Sequence, residues 1–302
     1  MKAFVLLILT CSLLLTAGSL AVGMNVVCTT TIIGDIILQI AGKSFDIRVL
    51  FAPDTDPHAF EPRPQDLVTL QRADLIFING LDLEAGLADI LEPLEDTVIS
   101  LSQDLPGLRG EEPGTGDDEN HDHGIIDPHI WFDPTLVSVW VDVIAERLSE
   151  LAPSQMADIR MRATAYQAEL ASLDEWIVAT LEQIPTEHRR LVTDHHVFGY
   201  FEARYGLEQV GTIFPGLSTL SEPSARDIAA LISTIESFDI PAIFVGTTVN
   251  PSLAQQIASD TGIRVIPLYT GSLSEPDGPA ATYLAFMQYT VTALVEGLGN
   301  TP

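Results

Sequence analysis

The sequence predicts an α/β protein of two lobes, each a mostly parallel four-stranded sheet flanked by helices, joined by one long rigid connecting helix. Three observations carry this. Short apolar, β-branched runs alternate with helix-period segments along both halves of the chain. Between the halves, residues 154–184 read as one helix, opened by Pro153-Ser154 and closed by Pro185. With 302 residues and 46% hydrophobic content, the chain can build two cores.

Residues 1–23 stand outside that fold. Lys2 is followed by an apolar run from Ala3 to Leu15 and small residues through Gly23, the pattern of a secretory signal peptide cleaved near Gly23. The run is short for a membrane-spanning helix. Cys11 lies too early in it to serve for lipid attachment. Cleavage leaves Cys28 alone, so no internal disulfide forms, and its neighbours Val26 and Val27 mark it as a buried strand residue.

The N-terminal lobe, residues 24–152, begins with the strand Asn25–Thr30. A helix from Ile32 to Ile40 stops at Ala41-Gly42. The strand Phe45–Phe51 runs into the turn-rich segment Ala52-Pro53-Asp54-Thr55-Asp56-Pro57-His58. A helix over Gln65–Arg72, a strand over Ala73–Gly80, a short helix over Leu83–Leu91 and a strand over Thr97–Ser100 follow. Residues 106–124 have almost no apolar content and read as a mobile acidic loop; its His121 and His123 are either weak metal contacts or ordinary solvated residues. Thr135–Leu148 is helical. The connector, residues 153–184, carries an apolar stripe at Met161, Ala165, Leu170, Leu173, Ile177 and Leu181.

The C-terminal lobe, residues 185–302, repeats the alternation. Strands are expected at Arg190–Thr193, Leu207–Phe214, Pro241–Val245 and Arg264–Tyr269. Helices are expected at Val197–Tyr205 (closed by Gly206), Ala225–Phe238, Pro251–Ser259 and Ala281–Leu298.

The net charge is −28, from 42 acidic and 14 basic residues. No basic patch exists to bind nucleic acid. A negative surface concentrates cations and also keeps a secreted protein soluble.

Three histidines stand at the carboxyl ends of strands or in the adjoining loops, the edge where open α/β sheets bind ligands. They are His58 in Asp56-Pro57-His58, His129 in Asp127-Pro128-His129-Ile130-Trp131-Phe132-Asp133-Pro134, and His195 in Thr193-Asp194-His195-His196. They lie 71 and 66 residues apart, so only the fold can assemble them. Neutral imidazole suits zinc and other late divalent metals, and three histidines with one oxygen ligand make a tetrahedral zinc shell. Asp127 and Asp133 flank His129 as candidate orienting carboxylates. His196 is a rival to His195 and is expected at the start of the following helix.

These segments resemble the metal-binding solute receptors of zinc and manganese ABC transporters, of the zinc-uptake and treponemal-receptor type. The resemblance covers nearly the whole mature chain. It rests on Asp56-Pro57-His58 with Glu61-Pro62, Phe77-Ile78-Asn79-Gly80 with Leu83-Glu84, and Asp127-Pro128-His129-Ile130-Trp131. It rests also on Thr193-Asp194-His195 with Phe198-Gly199-Tyr200, on Glu222-Pro223-Ser224, and on Tyr283 with Met287. It implies a metal ion held between two lobes by His58, His129 and His195, and delivery to a membrane permease without catalysis.

Two positions depart from the family pattern. Gly271, in Tyr269-Thr270-Gly271-Ser272, stands where the family usually has an aspartate ligand, and Gly246 where it often has an acid. The fourth ligand is then Asp277, Glu275 or water. Three imidazoles and a missing aspartate favour Zn2+ over Mn2+. The expectation is a monomeric extracytoplasmic receptor, free in the periplasm or at the outer membrane face, that passes zinc to an ABC permease. The alternatives are a manganese-specific receptor of the same family and a secreted zinc hydrolase using the open fourth position.

Overall fold

The computed structural model describes residues 23–109 and 126–299. The expected signal peptide, apart from Gly23, and the loop histidines His121 and His123 lie outside the described residues.

The first half runs β1 (Met24–Cys28), α1 (Thr31–Ala41), β2 (Phe45–Val49), α2 (Pro64–Gln71), β3 (Leu75–Ile78), α3 (Ala88–Leu91) and β4 (Val98–Ser100). Then come α4 (Pro134–Leu151) and α5 (Met156–Leu181). The second half runs β5 (Arg190–Thr193), α6 (Gly199–Tyr205), β6 (Glu208–Thr212), α7 (Ala225–Ser237), β7 (Ala242–Gly246), α8 (Ser252–Thr261), β8 (Arg264–Leu268) and α9 (Tyr283–Gly299). Both sheets are four-stranded and parallel, with orders β2-β1-β3-β4 and β6-β5-β7-β8. The eight strands fall where β-branched runs predicted them. Local signals set several helix ends. Thr30 caps α1 by accepting the Ile33 N–H at 3.2 Å, and Gly42 stops it at φ 77°. Ser224 and Asp227 form a capping box on α7.

The inner faces of both sheets join one continuous core that includes α1, α4, α5, α6 and α9. Two smaller clusters cover the outer face of each sheet. The connector α5 packs on α4, α1 and α9, but its buried stripe is Ile159, Ala163, Tyr166, Leu170, Leu173, Ile177 and Leu181. Met161 is 63% exposed and Ala165 is exposed too, so the expected stripe was out of phase over the first two turns. Tyr166, the true anchor there, is amphipathic and escapes a count of aliphatic residues.

Two further expectations are corrected. The helix expected over Leu83–Leu91 is broken into a 3-10 turn over Ala85–Leu87, α3, and a second turn over Glu92–Leu94. His196 is not at a helix start: α6 begins three residues later. The His196 N–H donates to the Gly216 carbonyl at 2.9 Å and Thr193 Oγ1 donates to the His195 carbonyl at 2.7 Å. Both bonds hold the 194–196 turn out of helix.

The halves are tied together around Trp131. Its indole N–H donates to the Thr270 carbonyl at 2.8 Å, and its own carbonyl accepts the Tyr283 hydroxyl at 2.8 Å. Behind it, Phe132 packs on Phe198 and Phe286 with ring centroids 4.6 and 5.5 Å apart. Replacing Trp131 by Phe keeps most of the apolar contact but leaves a buried carbonyl unpaired. We expect Trp131→Phe to lower unfolding stability in urea by about 1–3 kcal/mol.

Candidate metal centre

His58 follows β2 after two turns. Asp56 fixes the turn by accepting the His58 N–H on Oδ1 at 3.0 Å, and its Oδ2 accepts the Thr219 hydroxyl of the second half at 2.6 Å. His129 opens a 3-10 turn over Ile130–Phe132 that leads into α4. His195 sits two residues past β5. The fold brings all three to one point. His129 Nε2 lies 3.2 Å from His58 Nε2 and 3.3 Å from His195 Nε2. One nitrogen from each ring falls within 4.8 Å of the others, and among the described residues no carboxylate or thiol joins them.

The two inner rings are oriented from behind. His129 Nδ1 lies 2.7 Å from Asp127 Oδ1, which also accepts the His129 N–H at 2.9 Å. His195 Nδ1 lies 2.7 Å from Asp194 Oδ1, which accepts the His195 N–H at 2.7 Å. A carboxylate on Nδ1 fixes that nitrogen as the donor and turns the Nε2 lone pair to the common point. Asp133, the other expected orienter, does different work: it caps α4 by accepting the Thr135 N–H at 2.8 Å and lies 3.4 Å from Arg204 Nε. Asp194 was not singled out in the sequence. Its only signal is its place directly before a histidine at a strand end.

Burial pushes the His58 and His129 imidazoles well below their ordinary range, and neighbouring rings add to the shift. Neutral rings are ready to ligate. Burial pushes the Asp127 carboxyl up to about 6, against the pull of the His129 N–H bond. Burial would raise Asp194 as well. The charge of His195 and bonds from His195 and Gly246 outweigh it and hold Asp194 below the usual carboxylate range.

The cavity enclosed by these residues is about 10 Å³, room for one water or one ion. Asp56, Pro57, Trp131, Val197, Thr219, Thr248, Thr270 and Gly271 complete its wall. Metal–nitrogen bonds of 2.0–2.1 Å in a tetrahedron place ligand atoms about 3.3–3.4 Å apart, so the observed nitrogen spacings fit a zinc-sized ion with little adjustment.

Glu275 and Asp277, expected as possible fourth ligands, are exposed and outside the cavity wall. Their turn is folded around Ser274, whose hydroxyl accepts the Ala280 N–H at 3.1 Å, while the Gly278 N–H donates to the Glu275 carbonyl at 2.8 Å. Position 271 has no space for an acid: a Cβ there would come within 2.8 Å of Pro57 Cδ. Cys28 is fully buried, and its thiol, pushed up by burial, packs in the core away from the site.

Paired parallel sheets with a histidine cluster between their carboxyl edges define a metal-ion receptor. The comparisons agree. Residues 26–297 match the family described as zinc-uptake complex component A periplasmic. The chain is 31% identical to the manganese-binding lipoprotein MntA of Halalkalibacterium halodurans, over 92% of this chain and 89% of the relative. It is 30% identical to the zinc-binding protein TroA of Treponema pallidum (91% and 89%) and to the iron-binding protein YfeA of Yersinia pestis (91% and 86%). The solved structure of TroA superimposes with a TM-score of 0.83 at 29% identity, covering 92% of this chain and all of that one. The chain belongs to this family of metal-binding substrate-binding proteins of ABC transporters, and it is a receptor, not an enzyme. The secreted hydrolase reading finds no support there.

Depressed histidine pKa values carry a sign. Below pH 6.5 the unfolded chain protonates these rings while the folded metal-free protein does not, so the histidine contribution to stability is full above pH 6.5 and falls as pH drops. Asp127, with its raised value, acts oppositely, but only below about pH 6. Metal-free protein should therefore lose about 0.7 kcal/mol of stability between pH 7 and pH 6 for each ring that stays neutral, because the unfolded ring is only partly protonated across that range, as read from denaturation curves.

Proposed function

We propose that this protein is an extracytoplasmic receptor that captures a divalent ion, zinc by preference, on His58, His129 and His195 and delivers it to an ABC permease. The supporting observation is the ligand set itself: three imidazoles meet at zinc-compatible spacing, with no carboxylate among them in the described residues. Manganese favours oxygen-rich shells, so a nitrogen-only group argues for zinc although relatives are named for manganese and iron as well as zinc. Water completes the shell in this reading, since Asp277 and Glu275 are exposed and lie outside the cavity wall. Among the described residues no helix is long and apolar enough to cross a membrane. In this reading the permease takes the ion from a monomeric receptor outside the membrane.

Metal analysis and chelator competition test this. Wild type should bind one zinc ion, tighter than manganese. His129→Ala should weaken zinc binding by at least 100-fold, and Glu275→Ala and Asp277→Ala should leave it unchanged. Equal zinc affinity in wild type and His129→Ala would refute the site.

Delivery requires the ion to leave. His58 is partly exposed, whereas His129 and His195 are 1% and 3% exposed, so the way out runs past His58. There the Asp56–Thr219 bond spans the two halves. Thr219→Val removes a hydrogen bond to a charged acceptor, and zinc release to excess chelator should quicken roughly tenfold or more.

A further inference from the structure

Around the three ring nitrogens, the second half of the chain offers no carboxylate ligand. The nearest negative charge on that side is Asp194, one ring removed. Its setting differs from that of Asp127 in one respect. Each holds its histidine with Oδ1 at 2.7 Å. The Oδ2 of Asp127 is buried without a hydrogen-bond partner, whereas the Oδ2 of Asp194 accepts the backbone N–H of Gly246 at 2.6 Å.

Gly246 ends β7, in register with Leu268 of β8, and is buried. A Cβ on it would lie 2.9 Å from Asp194 Oδ2 and 2.5 Å from Thr270 Oγ1. The carboxylate is held by three N–H groups and cannot withdraw without breaking at least one. The end of β7 can approach it only because residue 246 has no side chain.

We propose that Asp194, seated by the Gly246 N–H, supplies the second half's negative charge to the bound metal through His195, in place of a carboxylate ligand, and that Gly246 is what makes room for it. Asp194 is a positioning residue here. It fixes the His195 tautomer and raises the ring's donor strength. The two buried carboxylates, Asp127 and Asp194, balance a divalent ion while the shell that touches it stays nitrogen-rich.

The inference rests on the zinc-receptor reading, and one experiment separates the two. Zinc affinity is measured by chelator competition on the full chain for wild type, Asp194→Asn, Gly246→Ala and the double variant, with the visible spectrum of the Co2+ form of each. Asp194→Asn and Gly246→Ala should each weaken zinc about 10–100-fold. The double variant should be no weaker than the worse single variant, because both act on one contact. Both single variants should shift the Co2+ bands in the same direction, which a mere loss of fold stability does not do. Zinc affinity unchanged in either variant, or losses that multiply in the double variant, would overturn the proposal. A wild type that binds no zinc would instead bring down the receptor reading beneath it. Asp194→Asn is nearly isosteric, so it tests the proposal even where Gly246→Ala disturbs folding.

Discussion

Three imidazole nitrogens from segments 71 and 66 residues apart are held within about 3.3 Å of one another along the His58–His129–His195 path, and the rest of the structure serves that convergence. Without a metal the cluster is unfavourable. The rings are desolvated, their lone pairs face each other, and protonating more than one of them would place like charges in contact. The scaffold must supply the stability. It does so with buried carboxylates that take the far nitrogens of His129 and His195, and with a core continuous from one sheet to the other. Phe132, which follows His129 by three residues, packs on Phe198, which follows His195 by three. The two ligand turns are thus braced against each other by direct ring contact.

Both sheets have the same strand order, yet they are used differently. After β1 the chain turns straight into α1, with Thr30 as cap. After β5, its counterpart, the turn Asp194-His195-His196 is pinned by Gly216 and Thr193 before α6 can begin. Those few non-helical residues are what place one ligand and its orienting carboxylate at the centre of the second sheet's carboxyl edge. The first half reaches the same point from two peripheral turns, one after β2 and one before α4. Ligand binding at the carboxyl edge of a parallel sheet is general; the way this chain populates the edge is its own.

Much of this was legible in the sequence. Alternating strand and helix periods predicted all eight strands, and strand ends with their adjoining Asp-Pro-rich loops singled out the three histidines. What was not legible depended on distance in space. The phase of α5 was lost over its first half because Tyr166 and Ala163, not Met161 and Ala165, face the core, and a tyrosine and an alanine signal burial less sharply than a methionine does. Asp133 and Asp127 flank His129 alike in sequence, but only Asp127 turns toward it; Asp133 has a helix end to cap. Glu275 and Asp277 are close to Gly271 along the chain, yet a turn closed on Ser274 carries them to the surface. Asp194 went unnoticed because an aspartate beside a histidine is common, and its significance appears only when Gly246 is seen beneath it.

The same features constrain how the ion is given up. A core shared by both sheets leaves little freedom for one half to swing as an independent body, since any large rotation would expose Trp131, Phe132 and Phe286 to water. The contacts at the mouth are of another kind. Asp56–Thr219, Asp54–Ser272 and Thr31–Leu273 are polar, partly buried and made by turn residues and the first residue of α1. Each can be exchanged for water at small net cost. On the proposed function, opening there frees His58, the ligand with no carboxylate behind its ring among the described residues, while His129 and His195 remain fixed. On that proposal, release begins with the ligand whose loss is cheapest, and the two buried histidines stay in place for the next ion.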